Sequence, residues 1–168
     1  MLERSSSTRF AAAFIIALGA VCAFAADRED LQGISKPSLE RGRYIAQIAG
    51  CNDCHTPNYA QSGGRVPEKD WLIGDRLGWR GPWGTTYPAN LRMTMARMSE
   101  EDWVRVARSA QYRPPMPWFA LRDMKETDLR ALYRFVRSLG VAGEPAPAYV
   151  PPGKEPHGGV VQFPMPPQ

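Results

Sequence analysis

Residues 51–55 read Cys51-Asn52-Asp53-Cys54-His55, and they follow a segment, SLERGRYIAQIAG over 38–50. Its apolar residues Leu39, Ile45, Ile48 and Ala49 recur at helical spacing, with Ser38 as a candidate cap. A helix running straight into two thiols and an imidazole delivers three bond-forming groups from one rigid element. What those groups hold decides how the rest of the chain must fold around them.

The bulk numbers set the frame. The chain has 168 residues, a formal net charge of +4, 43% hydrophobic and 23% charged residues, the profile of one globular domain and neither a disordered nor an integral membrane chain. The start is the exception. Arg4 and Arg9 precede an apolar run from Phe10 to Ala23, and Ala23-Phe24-Ala25 forms a small-residue cleavage pattern before Ala26. Residues 1–25 therefore read as a cleaved secretory signal peptide, since an apolar run of roughly 14 residues is short for a bilayer span. Membrane association would follow only if that segment were retained. A lipoprotein reading needs a small residue before Cys22, and Val21 stands there. Cleavage removes Cys22 and leaves Cys51 and Cys54 as the cysteines of an exported chain.

Beyond the motif, GGRVPEKDWLIGDRLGWRGPWGTTYPANL over 63–91 is rich in Gly, Pro and Trp and shows no sustained period, the mark of a long functional loop. Ser99-x-x-Asp102 opens a helix as a capping box, with Trp103, Val106 and Ala107 inward. QYRPPMPWFALRDM over 111–124 is a proline-stiffened loop. It leads into the clearest helix, ETDLRALYRFVRSLG over 126–140, with Leu129, Leu132, Tyr133, Val136 and Leu139 on one stripe and Gly140 at its C-terminal end. Residues 144–168 form a Pro/Gly-rich tail expected to be extended. No β pattern and no repeat stands out. The expected architecture is an all-α domain over 26–143, with three or more helices and large irregular loops.

Three readings of the motif compete. A structural zinc needs four ligands, usually as two pairs, and the only other histidine is His157 in the tail. A thioredoxin-like dithiol sits at a helix start after a strand, and nothing β-like precedes Cys51. A local disulfide suits an oxidising compartment but leaves His55 unexplained. Covalent haem uses every key position: two thiols three residues apart form thioethers with the two vinyl groups, and the next residue, His55, comes beneath the iron as its axial ligand.

On these residues the chain resembles the class I-like cytochromes c, in particular monohaem domains that serve periplasmic dehydrogenases. The resemblance runs from LERGRYIAQIAGCNDCHTP through GTTYPANL to PPMPWFALRDMKETDLRALYRFVRSLG. It departs in the middle, where relatives follow Asn-Leu with Thr-Pro-Asp and a Gly-rich turn, and this chain has RMTMARMSEEDW. The resemblance implies a small cytochrome c fold, one haem c attached through Cys51 and Cys54, and His55 and Met116 as the iron's axial pair. Met116 stands between Pro115 and Pro117, so its loop is already stiff. Met93, Met95, Met98 and Met124 read as packing, and His157 as a solvated tail residue. By analogy with relatives, Arg80, Trp83 and Tyr87 are candidates for the propionate side of the haem. Gly42 and Tyr133 are expected to mark the crossing of the first and last helices.

The function implied is single-electron transfer in the periplasm from a dehydrogenase to a downstream cytochrome or oxidase. The alternative is a haem protein with a labile sixth ligand, acting in small-molecule binding or peroxidatic chemistry. The sequence contains no phosphate-cradling Gly loop, no zinc-protease motif, no Ser/His arrangement and no paired catalytic acids at an interpretable spacing. Nucleic acid is not an expected partner of such an exported protein.

Overall fold

The structure, a computed structural model, describes residues 35–164. The expected signal segment and Met165 lie outside the described residues. Helix α1 spans Lys36–Ile48 and α2 spans Cys51–His55; a 3-10 turn follows at Glu68–Asp70. Strands β1 (Gly78–Gly81) and β2 (Gly84–Thr86) precede α3 (Leu91–Met95), α4 (Glu100–Ser109), α5 (Trp118–Asp123) and α6 (Glu126–Ser138), and β3 (Val160–Gln162) comes last. Among the described residues, no helix is long and apolar enough to cross a membrane.

The frame is the crossing of α1 on α6. The buried positions of α1 are Gly42, Ile45 and Ala46, an i, i+3, i+4 stripe in which the missing side chain of Gly42 is the contact. A Cβ built there would lie 2.0 Å from the Ala131 carbonyl oxygen and 2.6 Å from Phe135 Cβ. The partners of Gly42 are therefore Ala131 and Phe135, whereas Tyr133, expected there, turns away and donates its hydroxyl to the Met98 carbonyl at 2.7 Å. Ile48 and Ala49, expected inward, are exposed, because the stripe that meets α6 is set by Gly42 and not by them. Ser38 is not the cap: α1 starts before it, and its hydroxyl accepts from Arg134 instead.

Helix α6 buries Leu129, Leu132, Tyr133, Phe135 and Val136 because it also meets α3 and α4. The capping box of α4 forms as the sequence predicts, the Ser99 side chain accepting from Asp102 N while the Asp102 carboxylate accepts from Ser99 N. Trp103 and Ala107 are buried with Val104, and Trp103 donates its indole N–H to the Leu129 carbonyl at 2.9 Å. Gly140 ends α6 at φ +70°, the left-handed conformation expected of it.

The all-α expectation needs correction: the domain is mostly helical but carries a three-stranded sheet of order β2-β1-β3. Strands β1 and β2 form a hairpin with Trp79 opposite Thr86 and Gly81 opposite Gly84. Strand β3 then pairs in parallel with β1, Trp79 opposite Val161, and Thr85 bridges to Val150. The C-terminal tail thus touches both edges of the hairpin. Strands of three or four residues show no measurable alternation in sequence, and a parallel neighbour drawn from the far end of the chain leaves no local trace.

Candidate haem site

Between α1 and α2 the backbone turns at Gly50, whose φ of +71° suits glycine and swings the next residues across the end of α1. Helix α2 is anchored on its far side. Asn52 is fully buried, its Oδ1 accepts from the Thr56 hydroxyl at 2.8 Å, and that hydroxyl accepts from Leu72 N at 2.7 Å. With that face fixed, Cys51, Cys54 and His55 line a cavity of about 350 Å³. Its other walls come from Met95 and Trp103, from Met116 and Leu121, and from Leu132, a largely apolar enclosure.

His55 is buried, and its Nδ1 lies 2.7 Å from the Ala89 carbonyl oxygen. A carbonyl can only accept, so Nδ1 carries the proton and Nε2 keeps its lone pair. Burial lowers the imidazole's pKa, with the bond to Ala89 opposing, so the ring is neutral at pH 7 and fit to ligate. The Ala89 carbonyl is itself placed by its neighbour. Asn90 caps α3 by accepting from Met93 N at 3.0 Å, and its Nδ2 donates to the carbonyls of Ala142 at 2.8 Å and Glu144 at 3.2 Å.

Cys51 and Cys54 are not bonded to each other. Burial pushes the Cys51 thiol up to about 11 and raises that of Cys54 as well, with Asp53 adding to both. A dithiol poised for exchange needs a thiolate near neutral pH, which these surroundings oppose. Among the described residues, no three His, Cys, Asp or Glu side chains converge as a metal-binding group. The pair and the histidine are instead spread along the wall of a large apolar space. Two free thiols, a neutral imidazole with an available nitrogen, a thioether and a broad apolar wall fit a haem c.

Of the site residues expected from sequence, Cys51, Cys54, His55, Met116 and Tyr87 line this one cavity. Arg80 and Trp83 do not. Successive strand residues point to opposite faces, so Trp79 meets the cavity while Arg80 turns outward to a two-bond pairing with Glu155 at 2.7 and 2.8 Å. Trp83 packs on Phe163 with ring centroids 5.2 Å apart. Met95 and Met124, read as packing, do pack but also line the cavity. Ala89, Pro147 and Tyr149 are lining residues that sequence reasoning missed, and Trp79 and Arg113 line the cavity as well.

A mostly helical domain thus gathers Cys51, Cys54, His55 and Met116 around one cavity. No protein-family model and no solved structure matches the chain. It is similar to one of the subunits of nicotinate dehydrogenase from Pseudomonas putida, 30% identical over 124 residues, which cover 68% of this chain and 10% of that protein. It is also similar to the cytochrome c subunits of quinone alcohol dehydrogenases from Gluconacetobacter polyoxogenes and Komagataeibacter europaeus, each 28% identical over 146 residues, covering 80% of this chain and 28% of the relative. The chain thus spans a tenth to little more than a quarter of the length of these curated relatives. The similarity relates it, distantly, to the cytochrome c subunits of dehydrogenases.

Proposed function

We propose that this chain is an exported monohaem cytochrome c domain that carries single electrons in the periplasm, from a dehydrogenase to a downstream cytochrome or oxidase. The observation that carries the reading is the His55–Ala89 hydrogen bond, which presents a neutral ligating imidazole in the cavity shared by Cys51, Cys54 and Met116. The haem supplies a reversible one-electron couple when bound. Cys51 and Cys54 would fix it covalently and His55 would ligate its iron. Met116 would complete the coordination from a loop stiffened by Pro115 and Pro117, with a cis bond between Pro114 and Pro115.

The protein's part is otherwise exclusion and support. Trp103, Leu121 and Leu132 keep water from the cavity's interior, and Ala89 holds the imidazole in one orientation and tautomer. A methionine ligand raises the potential relative to harder donors and suits a carrier, which gains from unchanged coordination in both oxidation states. The similarity to subunits of dehydrogenase complexes supports a dehydrogenase as donor.

The test is expression with a cytochrome c maturation system, haem staining on a denaturing gel, and visible spectra of both oxidation states beside Met116→Ala. Covalent haem, low-spin spectra in both states and a methionine-to-iron charge-transfer band lost in the variant are expected. A high-spin spectrum in the parent that shifts on adding carbon monoxide would replace the carrier reading with the ligand-binding one. Absence of covalent haem would remove both.

A further inference from the structure

Most of the cavity wall is apolar, but several of its polar groups are linked to one another. Trp79 and Thr86 are partners across the hairpin, and the Thr86 hydroxyl donates to the Pro114 carbonyl at 2.8 Å, joining the hairpin to the loop that carries Met116. Arg113, next to Pro114, lays its guanidinium over the ring of Tyr149 at 3.9 Å from the centroid. The Tyr149 hydroxyl donates to the Trp83 carbonyl at 2.8 Å, and the Val150–Thr85 bridge holds the adjacent backbone. Trp79, Thr86, Arg113 and Tyr149 all line the cavity.

Among the lining residues Arg113 is the only lysine or arginine. It makes no ion pair among the described residues, whereas Arg80, from the neighbouring hairpin, is held by Glu155. A guanidinium fixed on an aromatic face keeps its fork of donors available at the edge, and that fork matches a carboxylate. We propose that Arg113, oriented by Tyr149, is the counter-charge for a carboxylate of the cavity's occupant. On the haem reading above, on which this rests, that carboxylate is a propionate. The C-terminal segment is then part of the binding site through Tyr149, and Arg113 takes the role that the resemblance implied for Arg80.

The experiment uses the matured protein with covalent haem and compares Arg113→Gln, Arg113→Lys, Tyr149→Leu and Arg80→Gln by midpoint potential and by the resonance Raman bending band of the propionates, which follows hydrogen bonding to those carboxylates. Removing a positive charge beside the haem favours the oxidised iron, so Arg113→Gln is expected to lower the potential and shift the band. Arg113→Lys keeps the potential near the parent value but still shifts the band. Tyr149→Leu gives a smaller change of the same sign, and Arg80→Gln leaves both readouts in place. If Arg113→Gln does not fold, Arg113→Lys and Tyr149→Leu decide by the band. Unchanged readouts in the Arg113 and Tyr149 variants, or an equal change in Arg80→Gln, overturn the proposal while leaving the haem reading intact. A parent protein without covalent haem overturns the haem reading and this inference with it.

Discussion

Asn90 and Ala142 are joined by a 2.8 Å hydrogen bond, from the side-chain amide to the backbone carbonyl, that ties the residue following the His55 acceptor to the start of the C-terminal segment. Because the same side chain caps α3 through Met93 N, Asn90→Ala removes a cap and two carbonyl contacts together. The expected loss is about 2 kcal/mol in urea unfolding. Asn90→Ser keeps a capping oxygen without burying a charge and loses the amide donor, so it is expected to cost about half as much. Equal losses in the two variants would show that the cap contributes nothing.

Gly42→Ala reverses an ordinary expectation. In an exposed helix interior the change gains up to about 1 kcal/mol. Here the new methyl would meet the Ala131 backbone at 2.0 Å, and backbone cannot step aside as a side-chain tip can. Helices α1 and α6 must separate, at a cost of about 3 kcal/mol or more. Thermal denaturation followed by circular dichroism reads this directly, and an unchanged midpoint would show that the helices do not cross so closely.

Glu100 gives the stability a pH dependence. Burial would raise its pKa, but bonds from Arg134 at 2.7 and 2.8 Å and from Arg130 at 3.0 Å outweigh it and leave the pKa lowered. A carboxylate with a depressed folded-state pKa stabilises fully above its unfolded value and loses that contribution as pH falls through the folded one. Glu100→Gln is therefore expected to cost about 1 kcal/mol at pH 7. The gap to the parent should narrow on acidification below the usual carboxylate range. A gap constant from pH 7 down to pH 3, measured by urea unfolding at each pH, would assign the loss to packing instead.

Arg92 is buried and donates to the carbonyls of Leu139 and Gly140, just beyond α6, and to that of Lys69 at 2.8 Å. Burial lowers its pKa, with Asp70 opposing. Its charge also sits where the helix dipole favours a cation. Arg92→Met leaves three acceptors without their donor and is expected to cost about 2–3 kcal/mol. Arg92→Lys should recover only part, since a single ammonium cannot reproduce the planar fork. Complete recovery in lysine, judged by denaturant midpoint, would reduce the role to charge alone.

Several of the cavity's sulfur- and nitrogen-bearing side chains are legible in the chain because they are close together or in self-announcing contexts. Cys51, Cys54 and His55 form one motif, and Met116 lies between prolines before a strongly periodic helix. The capping box at Ser99 and the glycine end at Gly140 are local, and both form. Arg80 and Trp83 lie away from the cavity because proximity along a loop does not say which side of a hairpin or its turn each side chain takes. The contact of Arg113 with Tyr149 is hidden because it forms only when the tail returns to the hairpin, with no periodicity to betray it. The buried stripe of α1 is misjudged by counting only apolar side chains, when Gly42 makes its contact by having none.

Helix α1 finds its main partner in α6, and strand β1 pairs with β3 near the far end of the chain. Such distant pairings impose loop-closure entropy before their contacts reward it, so the chain should fold more slowly than its helical content implies. A chain whose segment over 144–164 has not yet docked lacks the cavity wall at Pro147 and Tyr149 and would expose Trp79 and the apolar interior to solvent. Until that segment has docked, a half-walled apolar chamber is as ready to stick to another chain as to close on itself.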